Sequence, residues 1–145
     1  MTTKVAPFTD FAAHYDDFMF KCVDYESWVK YVGKIFKTFK VKPKTILDLA
    51  CGTGIPTLLF AKKGYRMIGI DSSQTMLDVL QKKINGYDIT TYRADIRGFT
   101  IPAEVDAVIC LYDSINYLLT GDDLKRCFGC VRCTLRKNGL FIFGL

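Results

Sequence analysis

The sequence predicts an α/β protein built on a doubly wound parallel sheet. Three observations predict it. Short apolar runs alternate with stretches of helical period along the chain. Those runs are continuous rather than alternating, as strands covered on both faces should be. The first of them is closed at once by the glycine-rich turn Cys51-Gly-Thr-Gly54.

In chain order, residues 25–39 read as an amphipathic helix, with Trp28, Val32, Ile35, Phe36 and Phe39 along one side. Lys30, Lys34 and Lys37 lie along the other side and read as a solvated face, the alternative being an RNA-binding stripe. Residues 46–50, Ile-Leu-Asp-Leu-Ala, form the first expected strand. The helix at 56–63 opens with Pro56 in its first turn and stops at Gly64. A second strand, 66–70, ends at Asp71. The helix at 73–84 starts on a Ser73 cap, carries Met76, Leu77 and Leu80 at helical spacing, and stops at Asn85-Gly86. A weaker strand at 87–92 ends before Asp95. Residues 105–111 and 140–143 supply two more strands, with a helix at 122–136 between them that stops before Asn138-Gly139. Right-handed crossovers leave few ways to arrange five such strands.

A chain of 145 residues fits one compact domain. Half its residues are apolar and 14% aromatic, which excludes a disordered tail. No run approaches the ~20 apolar residues of a membrane span, and the first residues lack the apolar core of a secretory signal, so the cytoplasm is the expected compartment. Twenty basic against fifteen acidic residues give +5, compatible with anionic partners without establishing one. The six cysteines are expected as free thiols.

Ligands of open parallel sheets bind beyond the carboxyl ends of the strands, and Asp48-Leu-Ala50-Cys51-Gly52-Thr-Gly54 occupies that place on the first strand. A dinucleotide fingerprint asks for a third glycine where Thr57 stands, and Pro56 removes an N–H that would cradle a pyrophosphate. Together these favour a ligand without phosphates. Asp71 can accept two hydrogen bonds from a ribose diol. Asp95 is placed to meet an adenine amino group, with Ile96 beside the ring. A nucleoside carrying a positive sulfonium suits a pocket edged by Asp48, Asp71 and Asp95.

In these segments the chain resembles the class I S-adenosylmethionine-dependent methyltransferases. The resemblance rests on residues 46–54, on Gly69-Ile-Asp-Ser-Ser73 followed by Met76-Leu77, on Arg93-Ala-Asp-Ile-Arg97, and on residues 106–118. Tyr15-Asp-Asp-Phe-Met and Asp24-Tyr-Glu-Ser-Trp28 sharpen it towards small bacterial members akin to the glycine and sugar-amine N-methyltransferases. It implies a Rossmann-like sheet of order 3-2-1-4-5, with residues 1–40 as a helical cap and 41–145 as the core. S-adenosyl-L-methionine is the implied cofactor. The implied binding residues are Tyr15, Trp28, Asp48, Ala50, Cys51, Gly52, Gly54, Asp71, Ser72, Met76, Asp95, Ile96, Cys110 and Leu111. Core packing of its helix is the competing reading of Trp28.

Methyl transfer from a sulfonium depends mainly on holding donor and acceptor in line, so no catalytic residue is expected. His14 reads as a surface or capping histidine. The loop after the fourth strand lacks the Pro-Pro-Tyr motif of enzymes that methylate base or glutamine amides, which favours a small-molecule acceptor. Asp113, Asn116 and Tyr117 are candidates to orient an amine or hydroxyl, though Asn116 equally suits a turn cap. Cys127, Cys130 and Cys133, three apart on a helix, read as packing residues around Cys127 rather than as metal ligands.

A complete fold of this family adds a hairpin to give the order 3-2-1-4-5-7-6, which this sequence is expected to lack. Relatives commonly carry an acidic residue where Gly144 stands. The fifth strand is then expected as an unpaired edge through which two copies associate. A catalytically silent cofactor-binding module is the alternative function. An RNA methyltransferase, resting on net charge alone, is a third, and nucleic acid is not expected as the partner.

Overall fold

The structure, a computed structural model, describes residues 23–111 and 114–144. Five strands, β1 (Thr45–Leu49), β2 (Arg66–Asp71), β3 (Ile89–Arg93), β4 (Val105–Cys110) and β5 (Leu135–Phe143), form one sheet in the order β3-β2-β1-β4-β5. Every pairing is parallel. The helices are α1 (Tyr25–Thr38), α2 (Ile55–Lys62), α3 (Gln74–Gln81) and α4 (Gly121–Thr134), with a 3-10 turn at Ser114–Tyr117. The expected architecture and strand order are those observed.

Alternation along each strand sends side chains to two cores. On one face Ile46, Met67, Ala107 and Ile109 pack under Val29, Val32 and Phe36 of α1 and Phe60 of α2. On the other, Leu47, Leu49, Ile70, Val108 and Cys110 pack with Cys127 and Val131 of α4. Asp48 falls by this parity on the α1/α2 face.

The docking face of α1 keeps Val32 and Phe36 of the expected stripe but is completed by Tyr25 and Val29 rather than by Trp28, Ile35 and Phe39. Its apolar band is wider than the surface the sheet offers, so the outer members stay in solvent: Trp28 is 39% and Phe39 63% exposed. Asp24 caps the helix, accepting from the Ser27 amide at 3.1 Å.

Several element ends also differ, as β3 does in running 89–93 rather than 87–92, and three of them show their cause. The helix expected to 84 closes at Gln81, because the chain tightens into a 3-10 bond from the Lys83 amide to the Leu80 carbonyl, 2.8 Å. The helix expected from 122 starts at Gly121 on a Thr120 cap, whose hydroxyl accepts the Asp123 amide at 3.1 Å. The same helix ends at Thr134, because Leu135 turns extended and pairs with Val105 as the start of β5. Pairing then skips to Leu140 opposite Ala107, so the intervening residues arch past Asp106. Its carboxylate accepts the amides of Lys44 (2.7 Å) and Thr45 (2.9 Å) and pairs with Arg136 (3.1 Å), clamping the starts of β1, β4 and β5 together.

Candidate functional site

The chain leaves β1 through three left-handed residues within five positions: Ala50 (φ 55°), Gly52 (φ 56°) and Gly54 (φ 79°). Ala50, expected as the last residue of the strand, is instead the first of this turn. A non-glycine residue in this region costs about 1–3 kcal/mol, a strain typical of ligand-binding loops. A Cβ at Gly52 would meet nothing within 4 Å, so the backbone here borders open space, whereas one at Gly54 would run into the Leu80 side chain. Gly54 is also the N-cap of α2.

Two carboxylates hold this turn. Asp71, at the end of β2, accepts the Gly52 amide at 2.9 Å through Oδ2 and the Ser73 amide at 2.8 Å through Oδ1. Each oxygen keeps a second lone pair for a ligand hydroxyl. Burial nevertheless raises its pKa, against the two amides that lower it. Asp48 lies deeper than the rim position expected for it: it is buried, and the Thr57 hydroxyl donates to its Oδ2 at 2.7 Å. Burial pushes its pKa up to about 7, with Thr57 opposing and the Asp71 charge adding to the rise. Thr57, met in the sequence only as a missing third glycine, thus ties α2 to the strand.

Residues 48–61 contain no Lys, Arg or His. Two carboxylates that repel each other, no basic residue in the turn itself and an amide removed by Pro56 make the turn a poor donor set for a pyrophosphate, and Arg93 and Arg97 alongside are already bonded to the Ser72 carbonyl and Asp95. The same set is well suited to a hydroxylated, positively charged ligand. S-adenosylmethionine has this character, so the residues present fit the cofactor the sequence implies.

The remaining candidates take varied places. Asp95 is held by its own neighbour, accepting from Arg97 through Nε at 3.0 Å, Nη2 at 2.8 Å and the amide at 2.9 Å. Those bonds keep its carboxyl below the usual range. Arg97 was not foreseen, although the spacing Asp-x-Arg was the available signal. Ile96 is half-buried against the α4-side core. Met76 is buried in the first turn of α3, its amide bonded to the Ser73 hydroxyl at 3.3 Å. Ser72 is exposed, and its carbonyl accepts from Arg93 Nε at 3.2 Å. Cys51 is buried beside Gly69, where a Cβ would come within 2.9 Å of its Sγ, and burial drives its thiol pKa far up. Cys110, the last residue of β4, and Leu111 just after it are buried on opposite faces. Trp28 does not pack in the core. The last turn of α1 lies near the start of β2, where Phe36 meets the Tyr65 ring at 6.3 Å. Trp28 lies about 12 Å further up the helix, its ring edge-on to Tyr31 with centroids 6.1 Å apart.

Tyr15, His14, Cys22 and Asp113 lie outside the described residues. Asn116 and Tyr117 are exposed on the 3-10 turn. Cys127 is buried, Cys130 accepts the Phe99 amide at 3.4 Å, and Cys133 is exposed, so the three face different surroundings. Among the described residues no three His, Cys, Asp or Glu side chains gather as metal ligands would, and no helix is long and apolar enough to cross a membrane.

Sheet order, glycine turn and paired carboxylates define the class as a class I methyltransferase fold. Residues 46–139 match the methyltransferase domain, and the chain belongs to that family. It is 35% identical to YqeM of Bacillus subtilis (strain 168), a methyltransferase by designation, over 135 residues, 92% of this chain and 53% of YqeM. It is 28% identical, over 101 residues, to a dTDP-3-amino-3,4,6-trideoxy-alpha-D-glucopyranose N,N-dimethyltransferase of Streptomyces venezuelae; the match covers 70% of this chain and 42% of that one. An S-adenosylmethionine-dependent methyltransferase from Clostridium acetobutylicum ATCC 824, solved as a crystal structure, superposes with a TM-score of 0.82. Its identity is 32%, over 95% of this chain and 57% of that one. The chain spans about half the length of the curated relatives it matches.

Proposed function

We propose that this chain binds S-adenosyl-L-methionine at the carboxyl ends of β1, β2 and β3 and that its methyl group passes to a small-molecule amine or hydroxyl. The observation that carries the reading is the pair Asp71 and Gly52: a carboxylate that holds the glycine turn and still offers lone pairs beside open space. In this reading Asp71 takes the ribose diol, Asp95 and Ile96 the adenine, and Gly52 the backbone approach. Asp48 stabilises the positive end through the loop. Trp28 and Tyr15 close the methionine end, as in the resembling family. The bound sulfonium supplies the electrophile: the new N–CH3 or O–CH3 bond forms as S–CH3 breaks, the sulfur leaves as a neutral thioether, and the acceptor's proton goes to water. The protein's part is alignment, which can lower the barrier by roughly 7–11 kcal/mol. The sugar-amine and glycine methyltransferases among the relatives support a small acceptor.

Calorimetry with S-adenosylhomocysteine and its 2′,3′-dideoxy analogue, on wild type and Asp71→Asn, tests the ribose assignment. The wild type should lose at least tenfold in affinity on losing the diol, in line with about 1.5–3 kcal/mol per charge-assisted bond. Asp71→Asn should discriminate much less. Equal discrimination by the two proteins overturns the assignment.

The same proposal extends to a second copy of the chain. β5 ends the sheet, and Phe128, Phe141 and Phe143 cluster on it, with ring centroids 4.9–5.8 Å apart. Pairing through residues 140–143 would cover that edge. Light scattering at tens of micromolar should give twice the chain mass, and a single-chain mass refutes the pairing.

A further inference from the structure

The amino ends of the strands carry a different chemistry from the carboxyl ends. Three loops return the chain from α1, α2 and α3 to β1, β2 and β3, and they span residues 39–44, 63–65 and 82–88. Because these strands are neighbours in the sheet, the loops lie side by side in a row about 10 Å across at the usual strand spacing. They contain Lys40, Lys42, Lys44, Lys63, Lys82 and Lys83 against one carboxylate, Asp88, which is bonded to Arg66 at 2.9 Å. Lys40, Lys42, Lys63 and Lys82 are exposed and have no ion pair among the described residues.

Two aromatic rings flank this row. Phe39 projects from the first loop at 63% exposure and Tyr87 from the third at 39%. Helix carbonyl ends attract cations, which accounts for Lys63 and Lys82 at the C-caps of α2 and α3. The same attraction extends to Lys40, next to the α1 C-cap, and Lys44 lies by Asp106, but neither accounts for Lys42 nor for an exposed Phe beside it. Separate rings with charges between them suit a strand whose phosphates meet lysines while its bases stack. A membrane surface would instead need the apolar groups gathered into one inserting patch.

We infer that the amino edge of the sheet beneath β1–β3 docks single-stranded nucleic acid, with phosphates on Lys40, Lys42, Lys63 and Lys82 and bases on Phe39 and Tyr87. This surface lies at the opposite end of the strands from Asp71 and Gly52, so it anchors a polymer rather than presenting a methyl acceptor. It stands independently of the cofactor assignment. It does not use Lys30, Lys34 or Lys37, the solvated lysine face of α1.

Fluorescence anisotropy with labelled oligouridylate and oligothymidylate of about twelve nucleotides, over a salt series, tests this. Affinity should fall with salt at a log–log slope of about −0.7 per phosphate neutralised, hence near −3 for four contacts. Replacing one lysine in each loop (Lys42→Gln, Lys63→Gln and Lys82→Gln together) should reduce that slope by about two. Phe39→Ala should weaken binding at least fivefold with the slope unchanged. A charge-matched control, Lys30→Gln with Lys125→Gln and Arg126→Gln, should keep the slope. Thermal melting checks that each variant is folded. Preference for the uridylate over the thymidylate would point to RNA, and equal binding to either strand; both support the surface. No binding at 50 mM salt, an equal slope loss in the control, or lysine-dependent binding to phosphatidylserine vesicles without oligonucleotide binding overturns it.

Discussion

At the scale of single residues the account turns on Asp48, buried against Thr57 with a pKa near 7. Its unfolded value is near 3.8. The folded state therefore holds an extra proton between roughly pH 4 and 7, and its stability falls as pH rises through that window before levelling above it. The ligand-free protein should melt at a higher temperature at pH 5.5 than at pH 8, by an amount worth a few kcal/mol on the order of magnitude. Asp48→Asn should flatten most of that slope and be the more stable of the two at pH 8. A variant with an unchanged pH profile refutes the assignment. A bound cation favours the ionised carboxylate, so affinity for S-adenosylmethionine should rise towards pH 7 and then plateau. Asp48 and Asp71 were legible as candidates, because carboxylates at strand ends beside a glycine turn are a local pattern. Their partners were less so. Thr57 reaches Asp48 across nine positions and the Gly52 amide reaches Asp71 across nineteen; the first contact exists only once α2 folds back on β1, the second only once β1 and β2 lie side by side.

At the scale of elements, the clamp around Asp106 sets where β5 begins. Gly139 passes so close that a Cβ there would stand 2.7 Å from the Asp106 carbonyl oxygen, which is backbone and cannot swing aside. Gly139→Ala should therefore lose at least about 2 kcal/mol in urea denaturation. Gly33, inside α1, is the contrasting case: a Cβ there meets nothing within 4 Å. Gly33→Ala should gain about 0.5–1 kcal/mol. The opposite ranking would show that the clamp is misplaced. Strands 1, 2 and 4 were readable because continuous apolar runs leave little choice. The junction of α4 with β5 was not, since Leu135-Arg-Lys-Asn carries no period and Leu135 is fixed by Val105 thirty residues away. The face of α1 was misread for a related reason. Periodicity locates an apolar band, but the sheet beneath decides how much of it is covered, and Trp28 and Phe39 fall outside.

At the scale of the molecule, parallel strands separate two chemistries. Carboxylates and open backbone gather at the carboxyl ends of β1–β3, where Arg93 and Arg97 are bonded to the Ser72 carbonyl and Asp95. Exposed lysines with Phe39 and Tyr87 gather at the amino ends. The order β3-β2-β1-β4-β5 produces this by placing β1, with its turn, between β2 and β4. Fold class and strand order were legible because they follow from repeated local signals. The acceptor was not, since the residues that would touch it come from separate loops. The most direct test is a crystal structure of the chain with S-adenosylhomocysteine. The ribose hydroxyls should lie within hydrogen-bond distance of the Asp71 carboxylate, with the sulfur over Gly52. An adenosyl group bound away from that carboxylate would contradict the account.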